Sequence, residues 1–312
     1  MSGSRLCYGG TGLGDGGTRT AGHTQMIPYG RPIKGAETVK LRWLGWAGVE
    51  IDSEGATVVV DPLADAGATF AALGDRAAAV ELPELVEPTR GAAMAGLVTH
   101  LHRDHTDAAA LAGSLAEGAA VHEPEGFGGD ADENVALAQA VAELERAGLE
   151  RRPVQAWKSV EAGPFTLTAL PAVDGLGDPQ VSWLIEAEGQ RVLHLGDTMF
   201  HGYWWRIARR HGPIDVVLAP INGAIINFPH LRPPSPFAAA MEPEHATVAA
   251  EALGARTVIP IHYGGLAIDP FYRPIPDAAD RFRTASAGRS YEATVLEPGG
   301  TLDLTRAAAA QP

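Results

Sequence analysis

The stretch Val98-Thr99-His100-Leu101-His102-Arg103-Asp104-His105-Thr106-Asp107 constrains this chain more than any other. Five of these ten residues can bind a divalent metal, and they stand where an apolar run through Leu97 and Val98 gives way to the alanine-rich run Ala108 to Leu111. The order predicts strand, ligand loop, helix. His100 and His102 would point about 200° apart on a helix, but at a strand end both rings turn to one side and can share one ion. Asp104 and His105 fall in the following tight turn, before Thr106 or Asp107 can cap the helix, and reach a second point a few ångströms away. This spacing suits two ions better than one. The bland alternative, polar residues hydrogen-bonded at a helix start, crowds three imidazoles into six residues with nothing electron-poor to hold them apart.

His-x-His-x-Asp-His behind an apolar strand resembles the signature of the metallo-β-lactamase superfamily. The resemblance continues, in order and rough spacing, through Val58-Val59-Val60-Asp61-Pro62, Leu193-His194-Leu195-Gly196-Asp197-Thr198 and Ile259-Pro260-Ile261-His262-Tyr263-Gly264. It therefore covers the chain from about Lys40 to about Leu304. It implies an α/β fold, the four-layer αββα sandwich of two mainly antiparallel or mixed sheets. Ala219-Pro220-Ile221-Asn222-Gly223, the run from Glu242 to Leu253 and Ile259 to Gly264 look most like the branch containing L-ascorbate-6-phosphate lactonase and N-acyl-phosphatidylethanolamine-type phospholipase D. The cysteine ligand expected of the β-lactam-hydrolysing members is missing.

A chain of 312 residues suits one two-sheet α/β domain with tails: a flexible N-terminal tail over 1–35, the hydrolase domain over 36–306 and a C-terminal tail over 307–312. The first segment is rich in Gly, Thr and Ser and has too little patterned apolar surface to offset its ordering entropy; Met26 is a candidate start. With 24 basic and 38 acidic side chains, the net charge of −14 opposes nonspecific binding to nucleic acid or anionic membrane, while leaving room for a local basic patch. The single cysteine, Cys7, excludes an internal disulfide and lies far from the histidine cluster. No signal-peptide core and no membrane-length apolar run is present. The expectation is a cytoplasmic protein with a small-molecule substrate, no nucleic-acid partner and no integral membrane segment; homo-oligomerisation stays open.

Val39 to Leu44, Gly45 to Ile51 and Ala56 to Val60 read as a meander of short strands, which Asp61-Pro62 ends. In the family an aspartate at this place supports the ligand loop from behind, and a plain strand-end turn role is equally open for Asp61. Asp132 to Gly148 reads as the clearest helix, with Val135, Ala138, Val141, Ala142 and Leu144 on one side and Gly148 as its stop. Strands are expected at Phe165 to Leu170, Val181 to Glu186 and Arg191 to Leu195, and a helix from about Pro243, with acids in its first turn. Sheets covered by helices, with loops gathered at one rim, follow from this alternation.

Pro171-Ala172-Val173-Asp174-Gly175 departs from the family, which commonly has a histidine where Asp174 stands. Asp174 is either a ligand, making the site more negative and favouring harder ions, or a residue that caps the turn at Gly175; both readings stay open. Asp197, presented by Gly196, has in the family the role of placing an oxygen on each of two ions, against the alternative of an Asx-type turn. His262, behind Thr257 to Ile261, is another strand-end ligand candidate. The resemblance thus implies two divalent metal ions, Zn²⁺ first with Mn²⁺ or Fe²⁺ as alternatives. His100, His102 and Asp197, with Asp174 if it ligates, surround one; Asp104, His105, His262 and Asp197 surround the other. Ions roughly 3.5–4 Å apart would share a water whose pKa falls toward about 7. That hydroxide would attack an ester, lactone, amide or phosphodiester, with Asp104 and Asp197 as the catalytic carboxylates.

Phe200 to Trp205 and Asn222 to His230 follow strand ends and carry aromatic and polar tips suited to substrate walls, although helix packing is the reading for at least one of Trp204 and Trp205. His201 and His230 are candidates for supporting ligands or touching substrate, and His245 for a structural or supporting role. Pro229 through Pro236 reads as a stiff edge loop, and Arg206, Arg209 and Arg210 as a solvated helix face. Two other functions share part of this set. An RNA-processing nuclease of the same superfamily would need a basic tracking surface, against which the acidic balance counts. A non-catalytic metal-binding protein is conceivable because of Asp174.

Overall fold

The computed structural model describes residues 38–70, 83–126, 135–228 and 231–305. The tails expected over 1–35 and 307–312, with Cys7 and Met26, the helix start at Asp132, and Pro229 with His230 lie outside the described residues.

Strands β1 (Thr38–Gly45), β2 (Gly48–Ser53) and β3 (Ala56–Val60) form the expected antiparallel meander, ending just before Asp61. The chain continues through α1 (Ala66–Phe70), β4 (Ala93–Leu97), α2 (Ala108–Ser114), β5 (Leu115–Pro124), α3 (Val135–Arg146) and β6 (Arg151–Val154). Next come β7 (Ser159–Ala162), β8 (Phe165–Pro171), β9 (Val181–Ala187), β10 (Gln190–His194), α4 (Trp204–His211) and β11 (Ile214–Pro220). Last are β12 (Ile225–Ile226), α5 (Pro243–Leu253), β13 (Ala255–Ile261), β14 (Tyr272–Arg273), α6 (Ala278–Ser286), β15 (Glu292–Ala293) and β16 (Thr301–Thr305). One mixed sheet has the order β16-β1-β2-β3-β4-β5-β6, a second β15-β13-β11-β10-β9-β8-β7, and β12 pairs with β14.

Alternation along the strands builds the layers. Leu41, Val58, Trp183, Val216, Leu218 and Ile259 pack between the two sheets. Their neighbours face outward: Val217 and Val258 meet Trp204, Ile207, Ala250 and Phe282 of α4, α5 and α6, while Val59 and Val121 meet Leu111, Leu137 and Leu144 of α2 and α3. The result is two mixed sheets face to face with helices on both outer faces, as expected. On α3 the buried face is Leu137, Ala140 and Leu144, one step round from the expected one: Ala138 and Ala142 are exposed and Val141 half-buried, because the larger leucines take the core side, each contributing about 1.5–3 kcal/mol. Among the described residues no helix is long and apolar enough to cross a membrane.

Two features of this framework place the loops that matter. Strands β10, β11 and β13 are parallel neighbours, so their C-terminal ends open onto one rim. The loop from Val98 to Asp107 leaves β4 and enters α2, where Asp107 accepts from the amides of Ala109 and Ala110 at 2.8 and 3.0 Å, the cap anticipated from sequence. Gly96 of β4 faces α2 closely: a Cβ there would lie 2.7 Å from Leu111 Cδ2, so a side chain at this position has to displace that leucine. Gly96→Val is therefore expected to cost about 1–3 kcal/mol, seen as a lower Tm. An unchanged Tm would mean that α2 does not rest on β4.

Candidate metal centre

The seven residues singled out from sequence converge. Donor atoms of His100, His102, Asp174 and Asp197 lie within 4.8 Å of one another, and so do those of Asp104, His105 and His262. They arrive from the β4–α2 loop, the turn after β8, the tip of β10 and the tip of β13. One detail differs from expectation: β4 stops at Leu97, so a bend and not a strand end brings the first two rings together. His100 Nε2 and His102 Nδ1 are 2.9 Å apart, with ring planes at 79°.

Asp197 stands between the groups. Its Oδ1 is 3.6 Å from His100 Nε2 and its Oδ2 is 4.0 Å from His105 Nε2. In the second group, Asp104 Oδ2 is 3.6 Å from His105 Nε2 and 3.3 Å from His262 Nε2. Separations of this size match the roughly 3.4 Å edge of a ligand tetrahedron around an ion about 2.0–2.2 Å from each donor. His105 Nε2 is buried without a hydrogen-bond partner although it faces two carboxylates. A buried nitrogen in that position fits a divalent metal. Asp174 has the geometry of a turn cap, Oδ2 accepting from the amides of Leu176 and Asp178 at 2.8 and 2.9 Å, while its Oδ1 faces the first donor group, 3.9 Å from His102 Nδ1.

Residues outside the expected ligand set fix which nitrogen of His102 and of His105 points inward. His102 Nε2 donates to Asp178 Oδ2 at 2.7 Å, leaving Nδ1 for the cluster. His105 Nδ1 donates to the buried Asp61 at 2.7 Å, and Asp61 also accepts from Thr99 N at 2.8 Å and Thr99 Oγ1 at 2.6 Å. The reading of Asp61 as support for the ligand loop thus matches the geometry, and its strand-end turn position holds as well. Trp46 Nε1 donates to Asp104 Oδ2 at 3.1 Å, and its ring lies 4.2 Å from that of His262. Trp46 and His262 both carry positive φ, +49° and +55°, and are joined by a bond from His262 N to Trp46 O; backbone strain of about 1–3 kcal/mol per residue is held here by the surrounding contacts. Gln180 Nε2 donates to Asp197 Oδ1. Gly196, at φ +70°, passes so close that a Cβ would meet Gln180 Nε2 at 2.9 Å and Thr99 Cβ at 3.1 Å. His194 ties the same turn down, donating from Nε2 to Ala47 O at 2.7 Å and accepting from Gly196 N at 3.1 Å. Apart from Asp61, the only sequence signals for these residues are polar or aromatic residues in glycine-rich turns, which is too common a pattern to select them.

Charge is concentrated here. Burial opposes protonation of His105, yet Asp104 and Asp61 outweigh it and push its pKa up to about 10. Burial likewise opposes His102, and the Asp178 hydrogen bond with the Asp174, Asp197 and Asp104 charges pushes it up to about 9. Burial and the charges of His105 and His102 hold His100 well below the usual histidine range. Asp104 sits well below the usual carboxylate range: burial would raise it, but His105 and His262 prevail. Burial raises Asp174.

Around the centre, His201 is buried and stacks on Trp204 at 3.7 Å; burial drives its pKa down to about 4, and its Nε2 has no partner. Trp204 is the packing tryptophan and Trp205 is exposed. His245 lies 6.0 Å from the ring of Phe200. Arg206 and Arg210 are more than a solvated face, since their guanidinium groups lie over the Trp157 ring at 5.6 and 4.6 Å.

Residues 56–263 match the β-lactamase superfamily domain. The chain is similar to a UPF0173 metal-dependent hydrolase of Thermococcus kodakarensis, 28% identical over 278 residues, which are 85% of this chain and 100% of that protein. Among solved structures it resembles a metallo hydrolase from Ignicoccus hospitalis, with TM-score 0.57, 19% identity and coverage of 86% of this chain and 100% of the other. It also resembles a diiron β-hydroxylase from Streptomyces venezuelae, with TM-score 0.59, 17% identity and coverage of 88% of this chain and 55% of the other. These two likenesses concern the fold alone.

Two outcomes are expected of the centre. Asp178→Ala should weaken metal binding by about 10–100-fold in competition with a chromophoric chelator, because His102 loses the acceptor that orients it. Unchanged affinity would reduce Asp178 to a surface acid. Because a metal must displace protons from His102 and His105, whose pKa values are about 9 and 10, loading the metal-free protein near pH ~7.5 should release about two protons per chain. Apparent affinity should climb with pH, by up to about a hundredfold per unit, until His102 titrates near pH 9. A flat profile would contradict the proposed ligand nitrogens.

Proposed function

Because this chain belongs to the β-lactamase superfamily, whose domain it matches over residues 56–263, we propose that it hydrolyses an ester, lactone, amide or phosphodiester of a small molecule at a centre of two divalent ions. At the coarser level it is a metal-dependent hydrolase, the description its curated relatives carry. One observation carries the finer reading: Asp197 presents one carboxylate oxygen to each donor group, the arrangement required of a residue shared by two ions. His100, His102, Asp174 and Asp197 would hold one ion, and Asp104, His105, His262 and Asp197 the other. Zn²⁺ is the first candidate. Mn²⁺ or Fe²⁺ gain ground because Asp174 replaces an imidazole by a carboxylate in the first group.

Bound divalent ions supply Lewis acidity, lowering the pKa of water toward neutrality and polarising the oxygen under attack. The side chains have separate parts in this scheme. Asp104 and Asp197 are 22% and 16% exposed, against 0% for His100 and His105, so the carboxylates front the opening. Asp104, held well below the usual carboxylate range, is a poor proton acceptor and serves to orient the attacking water as a hydrogen-bond acceptor. His100 and His105 stay fixed by Thr99 and Asp61 and keep the geometry constant through the reaction. The lactonase and phospholipase D-like branch that the sequence resembles guides the choice of substrates, and a cytoplasmic small molecule is the proposed ligand class. The chain's net charge of −14 disfavours the nuclease alternative.

Turnover of bis-p-nitrophenyl phosphate and of a lactone panel by metal-loaded protein is the direct test. His102→Ala should lose metal and turnover together with an unchanged circular-dichroism spectrum, and Asp174→His should raise zinc occupancy. Full metal content in His102→Ala would remove that residue from the ligand set.

A further inference from the structure

Between the tips of β10 and β13, which carry Asp197 and His262, lies the tip of β11, and it carries Asn222. Asn222 is 2% exposed and locked through its backbone on both sides: Ile275 N donates to its carbonyl at 2.7 Å, and the next amide, Gly223 N, donates to Met241 O at 3.1 Å. Its Nδ2 donates to the hydroxyl of Tyr272 at 2.5 Å, while its Oδ1 is buried with no partner. Tyr272 is equally well held. It exchanges backbone bonds with Ile268, both 2.8 Å, and its ring packs in the cluster that contains Trp46, the donor to Asp104.

We propose that Tyr272 is a further catalytic residue, its hydroxyl donating a hydrogen bond to the substrate oxygen that gains charge during hydrolysis, with Asn222 as the residue that positions it. The inference rests on the hydrolase reading above and adds a neutral donor to it. Since Asn222 Nδ2 occupies the hydroxyl oxygen as a donor, the tyrosine's own hydrogen is left to point elsewhere. Burial, then the charges of Asp104 and Asp197, keep the phenol well above its ordinary pKa, so it remains a donor throughout the working range. Tyr272 packs with Trp46, the donor to Asp104, and is bonded to Asn222 at the strand tip between those that carry Asp197 and His262, so the hydroxyl belongs to the same side of the rim as the metal centre. A donor fixed in advance loses nothing to reorganisation when charge develops, which is the condition under which such groups accelerate reactions. The substrate class is accordingly one that passes through a tetrahedral carbon or a charged phosphorus centre with an oxygen free to accept from Tyr272.

The experiment uses metal-loaded full-length protein, with inorganic phosphate as the oxyanion probe and bis-p-nitrophenyl phosphate as the turnover probe. Tyr272→Phe should keep its metal content, bind phosphate about tenfold more weakly by calorimetry and lose about 10–100-fold in kcat with a smaller change in KM. Asn222→Ala should show the same pattern to a lesser degree, because the hydroxyl remains but is no longer aimed. Phosphate affinity unchanged in Tyr272→Phe at full metal content would overturn the proposal, as would wild-type protein that binds no phosphate. Wild-type protein that binds phosphate but turns over no diester overturns the hydrolase reading on this probe, while the phosphate arm still decides whether Tyr272 is a donor to bound oxyanions.

Discussion

Everything in this molecule depends on keeping carboxylates and imidazoles close together out of water. A buried charge without a partner costs several kcal/mol, so a cluster of this kind persists only if every member is paired. Asp61 shows how this is done at the base of the centre. It is fully buried, and its two oxygens accept from Thr99 N, Thr99 Oγ1 and His105 Nδ1. His105 in turn holds the pKa of Asp61 below the usual carboxylate value against the pull of burial, and is itself aimed so that Nε2 faces Asp104 and Asp197. The same logic repeats at His102 through Asp178 and at Asp104 through Trp46. At His102 and His105 the inward nitrogen is set by the hydrogen bond that the other ring nitrogen makes.

The fold supplies the precision. Parallel neighbours β10, β11 and β13 bring Asp197, Asn222 and His262 to one rim without any contact between their loops being needed in advance. The meander β1–β3 contributes from the other sheet: its first turn carries Trp46 against His262, and its last residue is followed by Asp61. Both sheets therefore meet at the centre, and the apolar layer between them keeps their ends in register. Strain at Trp46 and His262 is concentrated where the two sheets are bonded to each other across the site.

Much of this was legible in the sequence, for identifiable reasons. The ligand loop announces itself because three imidazoles and a carboxylate within six residues have few other uses, and Asp197 and His262 stand at the ends of apolar runs whose strand character is plain. The meander, α3 and α5 follow from period and punctuation, although on α3 the alanine-rich pattern left the buried face undetermined and Leu137 and Ala140 take it in place of Ala138 and Ala142. Asp178, Gln180, Trp46 and Tyr272 were not legible as members of the site, since their roles arise from contacts across 76, 17, 58 and 50 residues respectively, and no local pattern encodes such pairings. Asp174 is ambiguous between ligand and turn cap because a carboxylate has two oxygens, and in the folded chain one takes the turn amides while the other faces His102. The bend that brings His100 against His102 was read as a strand end, because an apolar run looks the same in either setting up to its last residue.

The measurement that tests the central claim most directly is an anomalous-difference map from crystals grown in the presence of zinc or manganese. The account predicts two peaks roughly 3.5–4 Å apart, with the Asp197 carboxylate touching both. A single peak beside His100 and His102, with Asp197 Oδ2 bound to nothing, would contradict it.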